Sequence, residues 1–556
     1  MHAQALIAAA VAAFQEGDLA RSRRLAEEQL ARSGQLPLLH HLVGLIDCRM
    51  GRFDSGVERL KRAMEGDPAN LPYRIILVRA LIDAGRAAEA LALATPPKGT
   101  SPSEIELLQV RAEAAFYAGD RAIEAGAWSA IAKARPQDVM AWTNLGRSLV
   151  VQYRFSEAEA AYRKALALAP SVTVRHELGL MLEQSNKLEQ LGELLDTSLA
   201  EGIAKETLAD LWALRALRAG EFDEASRLAE MIDITPDPFR LNGLRAKIAE
   251  AADRPADAFA AATAKNWSVG SPGEWRARGR AYRHQLRASA ETMDAKLAEL
   301  PRLDPPKRRT PAFLVGFPRS GTTLVDTFLR GHPDTRVLEE VPVLERAVRA
   351  LGGIAHLPAA TPAQLTAARD DYFAGLDAYV DPAFGGLVID KMPLNMLSLP
   401  VIASLFPDAR IIFVQRHPCD CVLSCFMQTF VLTDAMASFL DLTDSADLYD
   451  AAMRAFTSAN AQLSLPVHRL VYEELVTDPS GVLKPLIGFL GLDWRAELLD
   501  HEATAARRRA IKTPSYDSVG KPVSKGACGR WRRYEVQLAP VLPVLMPWAE
   551  RLGYRD

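Results

Sequence analysis

Hydrophobic positions follow two different patterns in the two halves of this 556-residue chain. Up to about residue 265, apolar and small residues recur at the spacing of amphipathic helices. From residue 312 onward, short apolar runs at 312–317, 386–390, 409–415 and 468–472 are each followed by a helix-like segment. Such an alternation predicts a parallel β-sheet with helices on both faces.

The two patterns divide the chain into three parts. We expect a helical domain over 1–265, a linker over 266–311 and a three-layer α/β domain over 312–556. The linker contains a basic helical stretch at 275–300, and its segment 301–311 is rich in proline and charge, which fits an extended connector.

Four prolines of the helical half, Pro68, Pro102, Pro136 and Pro170, lie at intervals of 34 residues. That interval is the period of tetratricopeptide (TPR) repeats, each of which is a pair of helices. The resemblance predicts an α-solenoid whose concave face binds a peptide or protein. The alternative is an array that only supports the second domain.

The segment 139–172 resembles a TPR most clearly. Gly146 and Ala158 are expected where the two helices of the pair cross closely, and Tyr162 and Ala165 are expected to fill the gap to the next pair. Pro170 is expected to stop the second helix.

The first strand-like run of the second half breaks into Gly-Phe-Pro-Arg-Ser-Gly-Thr-Thr at 316–323, and a helical pattern follows. Backbone N–H groups and the dipole at a helix N-terminus favour a phosphate or sulfate, and we expect the N–H groups of 320–323 to face one. Gly321 lets an anion approach the backbone, and Arg319 adds fixed charge. The predicted anion-binding residues are Pro318, Arg319, Ser320, Gly321, Thr322 and Thr323.

Gly316 and Gly321 have the glycine spacing of the nucleotide-triphosphate P-loop, but Thr322 replaces the lysine of that motif. The string Pro-Arg-Ser-Gly-Thr-Thr-Leu at 318–324 instead resembles the 5′-phosphosulfate loop of sulfotransferases that use 3′-phosphoadenosine 5′-phosphosulfate (PAPS). Three alternatives stay open. They are a P-loop kinase or nucleotide hydrolase, a non-catalytic TPR scaffold with a decayed transferase domain, and a corner that binds no ligand.

A second anion pocket is predicted after the strand at 409–415. Arg416 follows that strand, Pro418 opens a helix, and Ser424 lies two turns along it. The segment resembles the R-x-P-x-D-x-x-x-S sequence with which sulfotransferases bind the 3′-phosphate of PAPS. The matching residues are Arg416, Pro418, Asp420 and Ser424.

The chain resembles bacterial TPR-containing sulfotransferases over nearly its full length, and its second half is similar to tyrosylprotein sulfotransferases. The resemblance implies that Glu340 is the catalytic base, with Glu339 as the alternative, and that Lys391 binds the sulfate. Pro342 stands where the tyrosylprotein enzymes have an arginine that positions a peptide acceptor. The resemblance therefore does not identify a protein tyrosine as the acceptor.

Further residues are predicted to bind the nucleotide. Tyr472 ends a strand, where ligands of α/β sheets bind. The tyrosylprotein enzymes have a lysine–proline pair and a basic–tryptophan pair late in their sequences. The pairs that begin at Lys521 and Arg530 resemble them. Arg530 belongs to a basic cluster with Arg532 and Arg533, which either closes over the 3′-phosphate or forms surface salt bridges.

The implied reaction is an in-line transfer of the sulfuryl group from PAPS, as co-substrate and without metal, to an acceptor hydroxyl. Lys391 and Arg319 are the candidates to stabilise the charge on the leaving oxygen. Glu340 is the candidate to accept the proton of the acceptor hydroxyl. We expect burial or Glu339 to raise the pKa of Glu340. The segment 431–466 is expected to line the acceptor pocket. The acceptor itself stays open between a peptide tyrosine, a glycan, a lipid and a small phenol.

Composition narrows the partners further. The 66 Lys and Arg against 69 Asp and Glu argue against a nucleic-acid partner, so anion sites must be local. Five cysteines favour a reducing compartment, and the cluster Cys419, Cys421 and Cys425 lacks a fourth ligand at zinc spacing. His332 and His417 each precede a proline, and we interpret them as structural.

The sequence contains no apolar run of ~18 residues that predicts a membrane span. Residues 1–17 are small and apolar, but they lack a basic region and run into an amphipathic repeat, so no secretory signal is predicted. We expect a cytoplasmic protein.

Overall fold

The structure is a computed structural model that describes residues 2–33, 36–232, 237–507 and 522–555. Contacts divide the chain into two compact units, Met1–Ser198 and Leu199–Asp556. The domain boundaries expected at residues 265 and 311 remain predictions.

The first unit consists of helices that pack in consecutive pairs. Several begin with a side-chain cap, since Asp120, Asp138 and Ser171 each accept a hydrogen bond from the backbone N–H three residues later. The helices are α1 (His2–Gln15), α2 (Leu19–Ser33), α3 (Pro37–Arg49), α4 (Phe53–Gly66), α5 (Leu71–Asp83), α6 (Ala87–Leu93), α7 (Pro102–Ala118), α8 (Arg121–Ala134), α9 (Val139–Val151), α10 (Phe155–Leu168), α11 (Val172–Gln184) and α12 (Leu188–Ala200), the last of which reaches the second unit.

The pair α9–α10 confirms the helix crossing that the TPR pattern predicts. A methyl group added at Gly146 would lie 2.6 Å from the Tyr162 ring, so the missing side chain is what lets the two helices approach. Ala158, Tyr162 and Ala165 are fully buried, and Pro170 follows the end of α10.

One of the four periodic prolines has a different role. Pro102 begins α7 instead of following a helix, because α6 already stops at Leu93, before Pro96 and Pro97. A proline suits the first helical position, where its fixed φ is helical and a backbone N–H would lack an intrahelical partner. The preceding Ser101 forms a capping box with α7.

The second unit begins with two more helix pairs and a long helix. The helical pattern expected to about residue 265 ends at Trp267. These helices are α13 (Ala209–Ala219), α14 (Phe222–Glu230), α15 (Pro238–Ala251), α16 (Pro255–Trp267) and α17 (Pro272–Asp294).

Helix α17 is the basic helix predicted from the sequence, and its arginines face the acidic stretch 434–447. Arg283, which is buried, lies 2.5 Å from Asp444. The other close pairs are Arg278–Asp434 at 2.6 Å and Arg287–Asp447 at 3.1 Å. Three arginines of this helix are therefore paired with carboxylates within the second unit.

A five-stranded, fully parallel sheet forms the centre of the second unit, with the strand order β2-β3-β1-β4-β5. The strands are β1 (Ala312–Val315), β2 (Thr335–Glu339), β3 (Leu387–Lys391), β4 (Ile411–Gln415) and β5 (Val467–Val471). Four were predicted. The fifth, β2, is interrupted by charged residues and gave no apolar run. The order reverses at β1, so the crevice beyond its carboxyl end is where a ligand is expected.

Both faces of the sheet are covered. Phe313 and Val315 pack into one hydrophobic core, with Ile402, while Leu314 packs into another, with Val325. The flanking helices are α18 (Thr322–Arg330), α19 (Val343–Ala350), α20 (Pro362–Asp377), α21 (Leu399–Leu405), α22 (Pro418–Met427), α23 (Leu442–Gln462), α24 (Tyr472–Leu475), α25 (Pro479–Phe489), α26 (His501–Arg507), α27 (Glu535–Leu538) and α28 (Leu542–Arg551). The expected three-layer α/β architecture is confirmed.

Candidate active site

The loop after β1 begins with a tight turn. The Ser320 N–H donates to the Phe317 carbonyl at 3.1 Å, with Pro318 second in the turn and Arg319 third at a φ of 69°. This is the type II arrangement, in which proline suits the second position and glycine normally takes the third. Left-handed backbone costs an arginine roughly 1–2 kcal/mol. The N–H of Ser320, expected to face the anion, is used within the turn instead.

Arg319 connects the two predicted anion pockets. Its Nε donates to Ser424 Oγ at 3.1 Å, and its carbonyl accepts from Arg416 Nη1 at 3.0 Å. Beside it, Ser320 Oγ is buried and has no hydrogen-bond partner in the described part of the chain. A buried hydroxyl left without a partner, one residue before a helix N-cap, fits a bound anion.

Gly321 is the N-cap of α18, with a φ of 106°. The first hydrogen bond of α18 runs from the Leu324 N–H to the Gly321 carbonyl at 3.0 Å. The N–H groups of Thr322 and Thr323 come before it, at the helix N-terminus. A methyl group at Gly321 would overlap the Tyr472 ring. Thr322 and Thr323 form the first turn of α18 and are buried.

Arg416 is 6% exposed and is held on several sides. Its Nη2 donates to the Ala527 carbonyl at 2.5 Å, and its guanidinium lies 4.9 Å from the centre of the Tyr472 ring. Its Nε has no acceptor among the described residues. The buried guanidinium therefore keeps an N–H for a further acceptor.

The helix that follows Arg416 is fixed to the C-terminal segment. The Asp420 carboxylate accepts from the backbone N–H groups of Gly529 and Trp531, both at 2.8 Å. His417 stacks on the Trp531 ring, with centroids 5.1 Å apart, and its backbone N–H donates to Glu473 at 2.9 Å. Asp420 and His417 thus fix the start of this helix to the C-terminal segment and to Glu473.

Glu340 and Lys391 lie together at the carboxyl ends of β2 and β3. Lys391 is fully buried, and its Nζ donates to Glu340 Oε1 at 2.7 Å. The Glu340 N–H donates to the Lys391 carbonyl at 2.8 Å, and Glu340 has a φ of 49°. The Glu340 side chain is 32% exposed, so the burial expected of the base is only partial.

Glu339, the alternative base, lies in a buried position between Lys391 and Arg330. It is 6% exposed and lies 3.8 Å from Lys391 Nζ and 3.9 Å from Arg330 Nη2. Arg330 is itself bonded to the buried Asp326 at 2.5 Å. This places Glu339 in a buried network behind Lys391, while Glu340 has the accessible carboxylate.

The strand that carries Lys391 contains a second buried acid. Asp390 is fully buried, and burial raises its pKa to about 7. The Tyr372 hydroxyl donates to Asp390 Oδ2 at 3.0 Å, which lowers the pKa in part. No sequence pattern singled out Asp390 beyond its place at the end of a strand.

The cysteine cluster and the two histidines have structural contacts. Cys425 Sγ donates to the Pro318 carbonyl at 3.4 Å, and burial raises the pKa of Cys421 and Cys425. His332 is buried and bonds through Nε2 to the Asp493 carbonyl at 2.9 Å. In the described ranges, no group of three His, Cys, Asp or Glu side chains could hold a metal, and no helix is long and apolar enough to span a bilayer.

The predicted residues form three groups. The loop 318–323, Ser424, Arg416 and Tyr472 are contiguous, and Glu340 with Lys391 ends the neighbouring strands. Arg530 lies apart, 2.5 Å from Glu250 of α15, and Arg533 pairs with Asp253. Lys521 lies outside the described residues. The Ala527 carbonyl on Arg416 and the backbone N–H groups on Asp420 were missed, because main-chain contacts leave no residue signature.

Comparisons with known proteins find relatives of the C-terminal half of the chain. Residues 311–496 match the model of the sulfotransferase family. An uncharacterized protein of Aquifex aeolicus is 26% identical over 286 residues, which are 49% of this chain and 37% of that protein. Protein-tyrosine sulfotransferase 1 of Danio rerio is 27% identical over 262 residues, which are 44% of this chain and 71% of that protein.

Among solved structures, the sulfotransferase domain of the Synechococcus PCC 7002 olefin synthase is 22% identical, with a TM-score of 0.34. The aligned region covers 46% of this chain and 99% of that domain. Residues 311–496, which contain the parallel sheet and the loop after β1, are therefore similar to the sulfotransferase family.

Proposed function

We propose that the chain transfers the sulfuryl group of PAPS to an acceptor hydroxyl. The observation that carries the proposal is the contact between the Lys391 ammonium and the Glu340 carboxylate at the carboxyl end of β3, next to β1 and its loop. Leu314 and Lys391 are register partners on neighbouring strands, and the Gly316 N–H donates to the Pro393 carbonyl at 3.2 Å. A base and a cation thus stand beside an anion-binding loop.

The donor fits the residues present. The N-terminus of α18 and the Ser320 hydroxyl would hold the 5′-phosphosulfate, and Arg416 with Ser424 would hold the 3′-phosphate. Arg416 Nε and Ser320 Oγ, which have no hydrogen-bond partner among the described residues, support this assignment. Arg319 lies between the two groups and touches Ser424.

In the proposed reaction, the acceptor oxygen forms a bond to sulfur while the bond from sulfur to the bridging oxygen breaks. The bonding electrons stay on the oxygen of the leaving 3′,5′-diphosphate, and Lys391 and Arg319 stabilise that charge. The acceptor proton moves to the Glu340 carboxylate. The short Lys391–Glu340 contact holds the base in place before the acceptor arrives.

The test is transfer of label from ³⁵S-PAPS to a tyrosine-containing peptide and to 2-naphthol. We expect labelled product from at least one acceptor, and loss of that product in Lys391→Met. Hydrolysis of ATP with magnesium, without any transfer from PAPS, would overturn the proposal in favour of a P-loop nucleotide hydrolase.

We also propose that the helical array binds a peptide or protein acceptor. In the first unit, a groove of about 570 Å³ is lined by small and apolar residues, among them Trp142, and by the charged Arg154, Glu157 and Lys164. Gly126 lines this groove, and a side chain added there meets no atom within 4 Å. Gly126→Arg would therefore fill the groove without disturbing the helices. It should lower transfer to peptide acceptors and spare 2-naphthol, with Gly126→Ala as the control, whereas unchanged peptide transfer would refute groove binding.

A further inference from the structure

The last helix of the repeats makes an unusual contact with the helix that carries Ser424. Lys265 of α16 is fully buried, and its Nζ donates to three successive carbonyls, of Phe426, Met427 and Gln428, at 3.3, 3.0 and 2.5 Å. These carbonyls belong to the last residues and the C-cap of α22. The neighbouring Asn266 adds a hydrogen bond from Nδ2 to the Phe426 carbonyl at 3.1 Å.

The arrangement matches what a helix end requires. The last four carbonyls of a helix lack intrahelical donors, and the Lys265 amino group, whose pKa burial lowers to about 7, has three N–H groups to offer when it is protonated. A cation at a helix C-terminus also interacts favourably with the helix dipole. Among the described residues, no carboxylate forms a salt bridge with Lys265, so the end of α22 is what compensates its burial.

The other parts of α22 belong to the proposed 3′-phosphate pocket. Ser424, two residues before Phe426, accepts from Arg319, and Asp420 is bonded to the backbone of the segment at 529–531. A shift of the last turn of α22 would therefore move the Ser424 hydroxyl. The N-terminus of α18, which would hold the 5′ side, is connected to α22 through the Arg319–Ser424 and Pro318–Cys425 contacts, so we expect the 5′ side to move less than Ser424 itself.

The helix before α16 contacts the C-terminal segment that is bonded to α22. Glu250 of α15 lies 2.5 Å from Arg530 Nε, and Asp253, just after α15, pairs with Arg533. Arg530 lies between Gly529 and Trp531, whose N–H groups bind Asp420. Helices α15 and α16 thus contact both α22 and the segment 529–531 that is bonded to it.

We propose that α15 and α16 position the 3′-phosphate pocket, with Lys265 as the positioning residue that fixes α22. The proposal rests on the function proposed above, because it assigns Arg416 and Ser424 to the 3′-phosphate. It extends that function by making the end of the repeat array part of donor recognition. The expected defect is selective for ligands that carry a 3′-phosphate.

The test compares two nucleotides in calorimetric titrations of the full chain, 3′-phosphoadenosine 5′-phosphate (PAP) and adenosine 5′-phosphate. Lys265→Met keeps the aliphatic stem and removes the three donors. We expect the ratio of PAP affinity to adenosine 5′-phosphate affinity to fall about tenfold, as for the loss of one set of charge-assisted hydrogen bonds. Asn266→Ala should lower the ratio in the same direction, and replaces Lys265→Met if that variant does not fold.

The matched control is Glu124→Gln in the first unit. Glu124 is also buried, and it accepts from Ser148 at 2.8 Å and pairs with Arg121. Loss of this interaction destabilises helices without touching α22, so the affinity ratio should stay at the wild-type value. An unchanged ratio in folded Lys265→Met and Asn266→Ala would overturn the proposal, as would an equal fall in Glu124→Gln. A wild-type chain with no preference for PAP would instead refute the proposed function, and this inference with it.

Discussion

The substitution Gly321→Ala tests the geometry of the anion-binding loop. Two costs add at this position. The left-handed backbone, with φ of 106°, costs an L-residue roughly 1–2 kcal/mol. The new methyl group overlaps the Tyr472 ring, and such overpacking costs about 1–3 kcal/mol. We therefore expect the free energy of unfolding to fall by roughly 2–5 kcal/mol, provided that neither the loop nor the ring moves away.

The matched control is Gly220→Ala. Gly220 follows α13 with a φ of 82° and ψ of 11°, close to the ψ of 10° at Gly321, and a methyl group there meets no atom within 4 Å. It should show the backbone cost alone, about 1–2 kcal/mol. Urea unfolding gives the stabilities, and titration with PAP should show affinity at least ~10-fold weaker in Gly321→Ala only.

A second variant separates the two costs. Replacing Tyr472 by leucine in the Gly321→Ala background removes the ring edge that the methyl group meets, so part of the lost stability should return. The reasoning is refuted if Gly321→Ala matches Gly220→Ala in stability and binds PAP as the wild type does. That result would mean that the loop does not need close approach at Gly321.

Substitutions at three further positions test the charged groups of the site. Glu340→Gln should lower turnover at least ~100-fold with PAP affinity within about twofold, and wild-type turnover would remove Glu340 from the mechanism. Arg319→Gly and Arg319→Ala both lose the guanidinium, but the glycine variant should be more stable in urea by about 1 kcal/mol because it relieves the left-handed backbone; equal stability would show that the turn is unstrained. Burial holds the pKa of Asp390 at about 7, above its ordinary 3.8, so the folded state binds more protons than the unfolded state and wild-type stability should fall by about 2–3 kcal/mol as the pH rises from 5 to 8. Asp390→Asn should abolish that fall, and a persistent pH dependence in this variant would contradict the assignment.

The sheet and its loop could be predicted because buried parallel strands leave continuous apolar runs. The run at 312–317 and the helical pattern after it correspond to β1 and α18. β2 escaped prediction because Arg336, Glu339 and Glu340 break its apolar pattern. The candidate base lies at this charged end, so the charged residues that made the strand hard to predict belong to the proposed active site.

Contacts between distant segments could not be predicted from a single sequence. Lys265 occurs in an alanine-rich helical pattern, and nothing local indicates that it binds carbonyls more than 160 residues away. The pairing of Arg530 with Glu250 likewise depends on how α15 meets the C-terminal segment. A basic residue shows that a charge is present, while its partner is decided by the tertiary fold.

The most direct test of the central claim is calorimetric titration of the purified chain with PAP and, as the control, with ATP, both without magnesium. The account predicts tight binding of PAP, weak or absent binding of ATP, and loss of PAP binding in Arg416→Ala. Selective binding of ATP, or PAP binding that Arg416→Ala leaves unchanged, would contradict it.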